Sequence, residues 1–600
     1  MKKLNFKIYL LAAFGISFML SCKKNFLEQD AIGAYSESVM ATPKGVNQTL
    51  TGAYSLLNGV NGLAVGPGQF LFGSIRGGEA HKGSASGDQP QMIEVQKFEV
   101  TGVNSSNQAF FQWQFNGISR CNSTLSLLAK TEGLTDIEKT QITAEARFLR
   151  GHYYFMLKRL YGNIPWIDET SADTRVSNTN EAGEYIDIWP QIQADFEFAR
   201  KNLREAQPDL GRPNKWAAEA YYAKVRLYMA NEGDQSGYVE AQQVLNDIMA
   251  NGKTNKLTPF NLYANYHDNF NPETENGTEW VWGVQHSVND GTTGANPPNG
   301  NVDMIFIGTQ SGSGPGLGRG YGFFNPTQWF VDHFRVDAGG LPYLDNHSTN
   351  PTMVKNDDGI SATAPFTPET SPLDPRLDWS VGRRGIPFLD YGLMPGTSWL
   401  RDQAASGPYL SKKYFTLKKD DGKYTAAGGS SNALNIAVIR YADVLLMAAE
   451  LEARIGSTER ARELVNRVRN RMVMNSESPE NWVKKEDGTN AANYAIRIYP
   501  SASSAFSSRE NALKAILHER LLELGLEGHR AYDVIRFGQA DGKTDVDEFN
   551  GYIAFESQLR GYLKGGTYSK VPDMLMPIPQ SAVDNSFFSG AFTLKQSPGY

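Results

Sequence analysis

Apolar positions recur at spacings of three and four along much of the chain. Ile142, Ala146, Leu149, Tyr153, Met156, Leu157 and Leu160 form one apolar stripe, the signature of a helix with one buried face. Asn163-Ile164-Pro165 ends it, because the residue before a proline is steered out of helical geometry. The same patterning predicts helices from Gln112 to Ala129, Ile188 to Leu203, through Trp216, Ala220, Ala223 and Leu227, and from Tyr238 to Met249. An earlier one begins near Pro43, with Thr42 as its N-cap and proline in the first turn. Between these, Gly59 to Asn107 is rich in glycine and serine and is expected to form strands and loops, with Gln91 to Val100 as the best strand candidate.

From about 255 to 433 the helical period disappears. Glycine, proline, asparagine and aromatic residues dominate, as in Gly312-Ser313-Gly314-Pro315-Gly316-Leu317-Gly318. Only a short strand (Glu279 to Val284) and one helix (Thr327 to Phe334) are expected there, among loops of a length that usually serves a function. Helices resume at Ile439 to Ile455, Glu459 to Arg471 and Arg509 to Leu526, and the part from Gly542 onward is expected to be irregular. The helices come in antiparallel-sized pairs with short links. This predicts a mainly α, tetratricopeptide-like superhelix carrying a loop-rich region and a few short strands. The helical parts, about 39–254 and 434–540, are expected to form one scaffold with the loop-rich region 255–433.

The N-terminus changes the picture. Lys2, Lys3 and Lys7 precede the apolar run Ile8 to Leu20, which has the length of a signal-peptide core and is too short to span a bilayer. Leu20-Ser21-Cys22 resembles a lipoprotein processing site. Residues 1–21 are then a signal peptide, Cys22 the lipid attachment point and 22–38 a polar tether to a body at 39–600. Acyl chains at ~0.8 kcal/mol per methylene hold a protein on a membrane without a spanning helix. Beyond Cys22 only Cys121 remains, so no intramolecular disulfide is available and stability must come from a large core. The net charge of −7, with no basic block, argues against nucleic acid as a partner.

Five blocks carry a resemblance. They are Glu145-Ala146-Arg147-Phe148-Leu149-Arg150-Gly151-His152-Tyr153-Tyr154-Phe155 with Arg159-Leu160-Tyr161-Gly162-Asn163-Ile164-Pro165, then Lys215-Trp216-Ala217-Ala218-Glu219-Ala220, and Arg440-Tyr441-Ala442-Asp443-Val444-Leu445-Leu446-Met447-Ala448-Ala449-Glu450. Glu519-Arg520-Leu521-Leu522-Glu523-Leu524-Gly525-Leu526-Glu527-Gly528-His529-Arg530 and Leu575-Met576-Pro577-Ile578-Pro579-Gln580 complete the set. In order and spacing these resemble SusD/RagB outer-membrane nutrient-binding lipoproteins. The resemblance implies stacked tetratricopeptide-like helix pairs with an irregular ligand-binding portion. It also implies a partner, a SusC-like TonB-dependent barrel over which the lipoprotein sits as a lid at the cell surface. It implies an oligosaccharide cargo, or in some members a peptide. The charged motif residues (Glu145, Arg147, Arg150, and Glu519 to Arg536) are expected to pair between helices rather than to bind ligand, and Pro577 and Pro579 to set an extended segment.

Enzyme signals are weak. His-Glu-x-x-His, Cys-x-x-Cys and Gly-x-Ser-x-Gly are absent, and the glycine run lacks the Lys-Ser/Thr of a phosphate loop. No cofactor or metal site is expected. The remaining enzymatic alternative is a glycoside hydrolase, which needs two carboxylates; Glu79, Asp88, Asp374, Asp378 and Asp390 are the candidates. A sugar site instead needs an aromatic platform and planar polar groups at its rim, and aromatics make up 11% of the chain. The first loop offers Arg76, Glu79, His81, Lys82 and Asp88 but no tryptophan. The platform is therefore sought in the middle region, at Tyr321, Phe323, Phe324, Tyr391 or Trp399. A peptide or a less planar glycan remains an alternative cargo. Trp280, Trp282 and Trp329 are expected in the core.

Overall fold

The computed structural model describes residues 40–59, 66–291, 320–344, 353–426, 432–473 and 481–600. The lipid-attachment candidate Cys22, the leader and tether, and the glycine run 312–318 lie outside the described residues. Helix α1 (Pro43–Tyr54) starts as its sequence predicts, with the Thr42 hydroxyl accepting from the Gly45 N–H at 3.1 Å and proline in the first turn. Helix α2 is Gln91–Lys97, α3 Ser105–Ala129, α4 Asp136–Tyr161, α5 Trp189–Asn202, α6 Lys215–Asn231 and α7 Ser236–Asn251. Thr135 and Glu138 close a capping box at the start of α4, and its seven predicted stripe residues are all buried. Gly162, at φ 68°, follows its last residue. Helix α3 begins seven residues before Gln112 because the Asn104 side chain caps the Asn107 N–H at 3.0 Å.

Two segments depart from the periodicity argument. Gln91 to Val100 is not a strand. Met92, Val95 and Phe98, three apart, face inward while Ile93 stays half-exposed, so the period is helical and α2 forms. The chain beyond Gly542 is not irregular. Helix α13 (Thr544–Leu559) buries Phe549, Tyr552, Ile553 and Glu556. Gly551 and a buried carboxylate in its apolar stripe hide the pattern. In the first loop, Phe70–Ile75 forms a wholly buried π-helix.

After the short α8 (Gln328–Asp332), the second half supplies α9 (Tyr441–Ile455), α10 (Thr458–Asn470), α11 (Arg509–Leu524), α12 (Arg530–Asp541), α13 and α14 (Gln580–Asn585). Helices α3 to α7 pack each on the next, α7 packs on α9, and α9 packs on α10 and α11. One apolar cluster runs from Val46 to Ile578 through both halves, which is the tetratricopeptide-like arrangement of a mainly α protein. The strands are short two-stranded antiparallel ladders. β1 (Ala80–Gly83) pairs with β3 (Phe323–Pro326), and β2 (Trp280–Val284) with β6 (Ile436–Arg440). β4 (Val381–Gly382) pairs with β5 (Leu410–Ser411), and β7 (Phe587–Phe588) with β8 (Ala591–Phe592). Trp280 and Trp282 are buried, while Trp329 is only half-buried.

The charged motif residues are paired inside the scaffold. Asp195 on α5 receives Arg147 at 2.7 Å and Arg150 at 2.8 Å from α4, and Glu145 receives Arg212 at 2.8 Å. Glu523 on α11 is contacted by Arg376, Arg440 and Arg471. Arg440 also reaches Glu279 (2.5 Å) and Glu527 (2.7 Å), and Glu519 takes Arg376 (2.6 Å) and Arg469 (2.7 Å). Arg520 and Arg536 share Asp533, and Arg520 reaches Asp443 at 2.8 Å. Buried ions require such partners, since an uncompensated charge costs several kcal/mol.

Candidate functional site

Four of the first-loop candidates are internal, Lys82 among them at 2% exposure. Arg76, Glu79 and His81 are each 1% exposed, so they do not offer a ligand their side chains at the surface. The Arg76 guanidinium donates to the carbonyls of Asp573 and Met574. Glu79 accepts from the Leu526 N–H at 3.0 Å, and burial pushes its carboxyl up to about 8 against the Ser74 and Leu526 hydrogen bonds. His81 lies 2.9 Å from Glu556 through Nε2, and its Nδ1 meets the Tyr562 hydroxyl at 2.9 Å. Burial lowers its pKa, opposed by Glu556. These polar residues suggested an exposed loop because charged side chains are mostly exposed. Here Arg76, Glu79 and His81 each have a partner from the C-terminal part of the chain, and this stretch of the loop is core.

The platform candidates divide likewise. Phe323 and Phe324 are buried on β3, and Trp399 is 8% exposed, edge-on to Phe388 at 5.7 Å. Tyr391 is half-buried against Phe388 and Phe415. Four of the proposed stacking residues are thus packing residues wholly or in part. Tyr321 is different: 45% of it is exposed.

The fold brings the backbone next to Tyr321 beside the start of the turn that carries Asp88. In the β1–β3 ladder Gly83 lies opposite Phe323, and the Ser84 N–H continues it to the Gly322 carbonyl at 2.5 Å. The turn after β1 therefore sits beside the entry to β3. A helical turn, Gln403–Ser406, packs on both strands and carries Arg401, two residues before it, to this edge. Arg401 reaches Asp88 at 2.6 Å and the Ser84 hydroxyl at 3.0 Å, while Ser84 donates to Asp88 at 2.6 Å. The Ser84 hydrogen bond, followed by Arg401 and Lys82, holds the Asp88 carboxyl below its usual range. Beneath the turn, the Lys82 ammonium donates to the carbonyls of Gly83 (3.0 Å), Ala85 (2.8 Å) and Asp88 (2.7 Å), and burial pushes it down to about 8. Gln403 extends the edge by bonding Gly359 N–H (3.0 Å) and the Asp357 carbonyl (3.2 Å).

The result is a rim holding a half-exposed phenol ring, a carboxylate–guanidinium pair and an amide, on turns pinned from below. That set suits hydroxyl-bearing ligands: the ring takes an apolar face, and the planar groups take the hydroxyls. The other candidate carboxylates are structural. Asp374 is buried on Arg376 at 2.8 Å, Asp378 on Arg383 at 2.7 Å, and Asp390 accepts the N–H groups of Lys418 and Lys419. Arg401, Ser84 and Gln403 had no signal in the sequence beyond a charged pair following Trp399. Elsewhere, a groove of about 720 Å³ lies between α3, the loop 165–176 and the C-terminal residues 582–594, with Met40 on its rim.

A family model described as the SusD family matches residues 278–600, and one described as starch-binding, associating with outer membrane, matches residues 26–227. The chain belongs to the SusD/RagB family. Among curated SusD-like relatives, SusD-like protein P25 of Formosa agariphila is 23% identical over 562 residues, 90% of each chain. The starch-binding protein SusD of Bacteroides thetaiotaomicron is 26% identical over 485 residues, 79% of this chain and 75% of that one. Of solved SusD-like structures, a laminarin-binding SusD-like protein superposes with a TM-score of 0.61 at 21% identity, covering 93% of this chain and all of the other. Surface glycan-binding protein A of Bacteroides thetaiotaomicron, in complex with laminarihexaose, gives 0.61 at 18% identity over 93% of this chain and 100% of that one. These likenesses establish the SusD-like fold. The family blocks named from the sequence lie in α4, α6, α9, α11 and the segment 575–580.

Proposed function

We propose that this chain is a surface lipoprotein that captures oligosaccharides and delivers them to a SusC-like TonB-dependent transporter in the outer membrane, without catalysing a reaction. The observation that carries the binding step is the placement of half-exposed Tyr321, two residues before β3, and of the Asp88–Arg401 pair, on the turn after β1, at the same end of one strand ladder. Glycan binding by relatives of the same fold supports it, as does a relative named for starch. Residues 1–21 as leader, Cys22 as acylation site, 22–38 as tether and 39–600 as one body belong to the same proposal. A few stacking contacts and hydrogen bonds give roughly micromolar to millimolar affinity, which suits a protein that must release its cargo.

Screening the purified chain on a glycan array beside a peptide library tests the cargo. Glycan retention is expected, with at least about a tenfold loss in Tyr321→Ala and Arg401→Ala. Peptide retention alone would replace the cargo class, and shortened glycans in the eluate would reveal a hydrolase. Separately, Cys22→Ser is expected to lower the membrane-bound share of the protein; a share equal to the parent's would refute the anchor.

A further inference from the structure

At the C-terminal end, β7 and β8 form a hairpin, with Phe587 opposite Phe592 and Phe588 opposite Ala591. Ser589 (φ 51°) and Gly590 (φ 90°) make its two-residue turn, both in the left-handed region that matches the twist of paired strands. The tip is apolar yet uncovered: Phe587, Phe588 and Phe592 are 53%, 48% and 58% exposed. Phe587 and Phe592 pack on each other at 5.0 Å, and the Arg175 guanidinium lies 3.8 Å from the centre of the Phe588 ring. From Asn585 to Leu594 no residue is charged.

The base of the hairpin, by contrast, is clamped. Buried Asn178 donates to the carbonyls of Asn163 and Lys595 at 2.8 Å each and accepts the Lys595 N–H at 2.8 Å. Ser586 accepts the Thr593 N–H on its carbonyl at 3.2 Å and the Leu594 N–H on its hydroxyl at 3.1 Å. A rigid base under an apolar tip indicates a surface that touches something. Met40 lines the same groove as Ala582, Ser586, Thr593 and Leu594, so the chain that leads back to Cys22 leaves the body on the hairpin's side.

We propose that this aromatic hairpin is a membrane-contact element that dips into the lipid interface beside the tether. The inference rests on the lipoprotein reading for placing the body at a membrane. Phenylalanine side chains on a surface element bury at the boundary between headgroups and acyl chains. Half of three phenylalanines, each of ~200 Å², exposes about 300 Å², well below the ~800 Å² per partner of a standard protein interface. A lipid surface makes no such demand, because a weak apolar contact adds to a lipid anchor as a second signal. The 17 residues between Cys22 and Met40 reach up to ~60 Å when extended, so the tether alone leaves the body's orientation open. The hairpin supplies a second fixed point.

The test uses the leaderless mature chain carrying Cys22→Ser, so that any binding is independent of acylation. With vesicles of phosphatidylethanolamine and phosphatidylglycerol, co-flotation is expected, and Phe587→Ser/Phe588→Ser/Phe592→Ser together should lower it at least about tenfold with an unchanged melting temperature. As a second measurement, an environment-sensitive dye on Ser589→Cys should brighten and shift to the blue when vesicles are added; the native Cys121 is buried. Absence of flotation with a silent dye, or flotation untouched by the triple variant, would overturn the hairpin proposal. Failure of the anchor would show differently, as Cys22→Ser protein retained in cell membranes even with the triple substitution.

Discussion

Glu79 shows what enclosure does to a single charged residue. Its carboxyl titrates in the folded protein at about 8, against ~4.3 in an unfolded chain. Between those values the folded state holds a proton that the unfolded state has released, so this group lowers stability as pH rises. Glu79→Gln removes the titration and keeps an acceptor for the Leu526 N–H. The variant is expected to gain stability over the parent by on the order of 1 kcal/mol per pH unit across that window; parallel urea melts at pH 5, 6.5 and 8 measure it. A constant difference would mean that Glu79 is ionised in the fold. Sequence alone placed Glu79 beside Asp88 as a ligand contact. The two differ in what covers them: Glu79 meets the backbone of Leu526, 447 residues away, whereas Asp88 stands on an exposed turn. Neighbours so distant in the chain leave no local trace, which is also why no sequence pattern marks Arg401.

At the scale of elements, helices with one apolar stripe were legible from spacing, as α4 and α9 illustrate. Those with a short or interrupted stripe were not, as the seven-residue α2 and α13 with Glu556 in its buried face illustrate. The buried π-helix Phe70–Ile75 had no signal because its turns are set by what lies against it. A Cβ on Gly73 would meet the Gly528 carbonyl oxygen at 2.0 Å, and Gly528 itself sits at φ 78°. This close approach joins the first loop to the turn before α12. Gly73→Ala is expected to cost about 1–3 kcal/mol, read as a lowered urea midpoint. Gly87→Ala, where a Cβ would meet nothing within 4 Å, should stay within about 0.5 kcal/mol of the parent. Equal effects would remove the tight contact as the cause.

For the whole molecule, the arginine-rich cluster around Glu523 binds the loop-rich region to the helices. Arg376 comes from that region, Arg440 ends β6, and Arg471 follows α10. The arginines hold the Glu523 carboxyl well below the usual range, led by Arg471 among the charges that outweigh its burial. Stability from such a depressed carboxyl is complete above the unfolded value of ~4.3 and is lost as pH falls toward the folded one. Glu523→Ala leaves three buried guanidiniums short of a partner and is expected to cost about 3–5 kcal/mol and to weaken the acid dependence below pH ~4; denaturant melts at pH 7 and pH 3.5 check both. A small loss with unchanged acid dependence would assign the cluster no part in holding the halves together.

By itself the sequence determined the family, the mainly α stacking and the positions of most helices, because those depend on local period, caps and prolines that each segment carries with it. Only the tertiary structure decided which polar residues stay at the surface. Arg76, Glu79 and His81 were taken inside by partners some 450 to 500 residues away, while strand pairing between segments 240 residues apart set Tyr321 near the turn of Asp88, and the packing of Gln403–Ser406 on those strands added Arg401. Burial and proximity are properties of chain crossings, and no spacing within a segment encodes them.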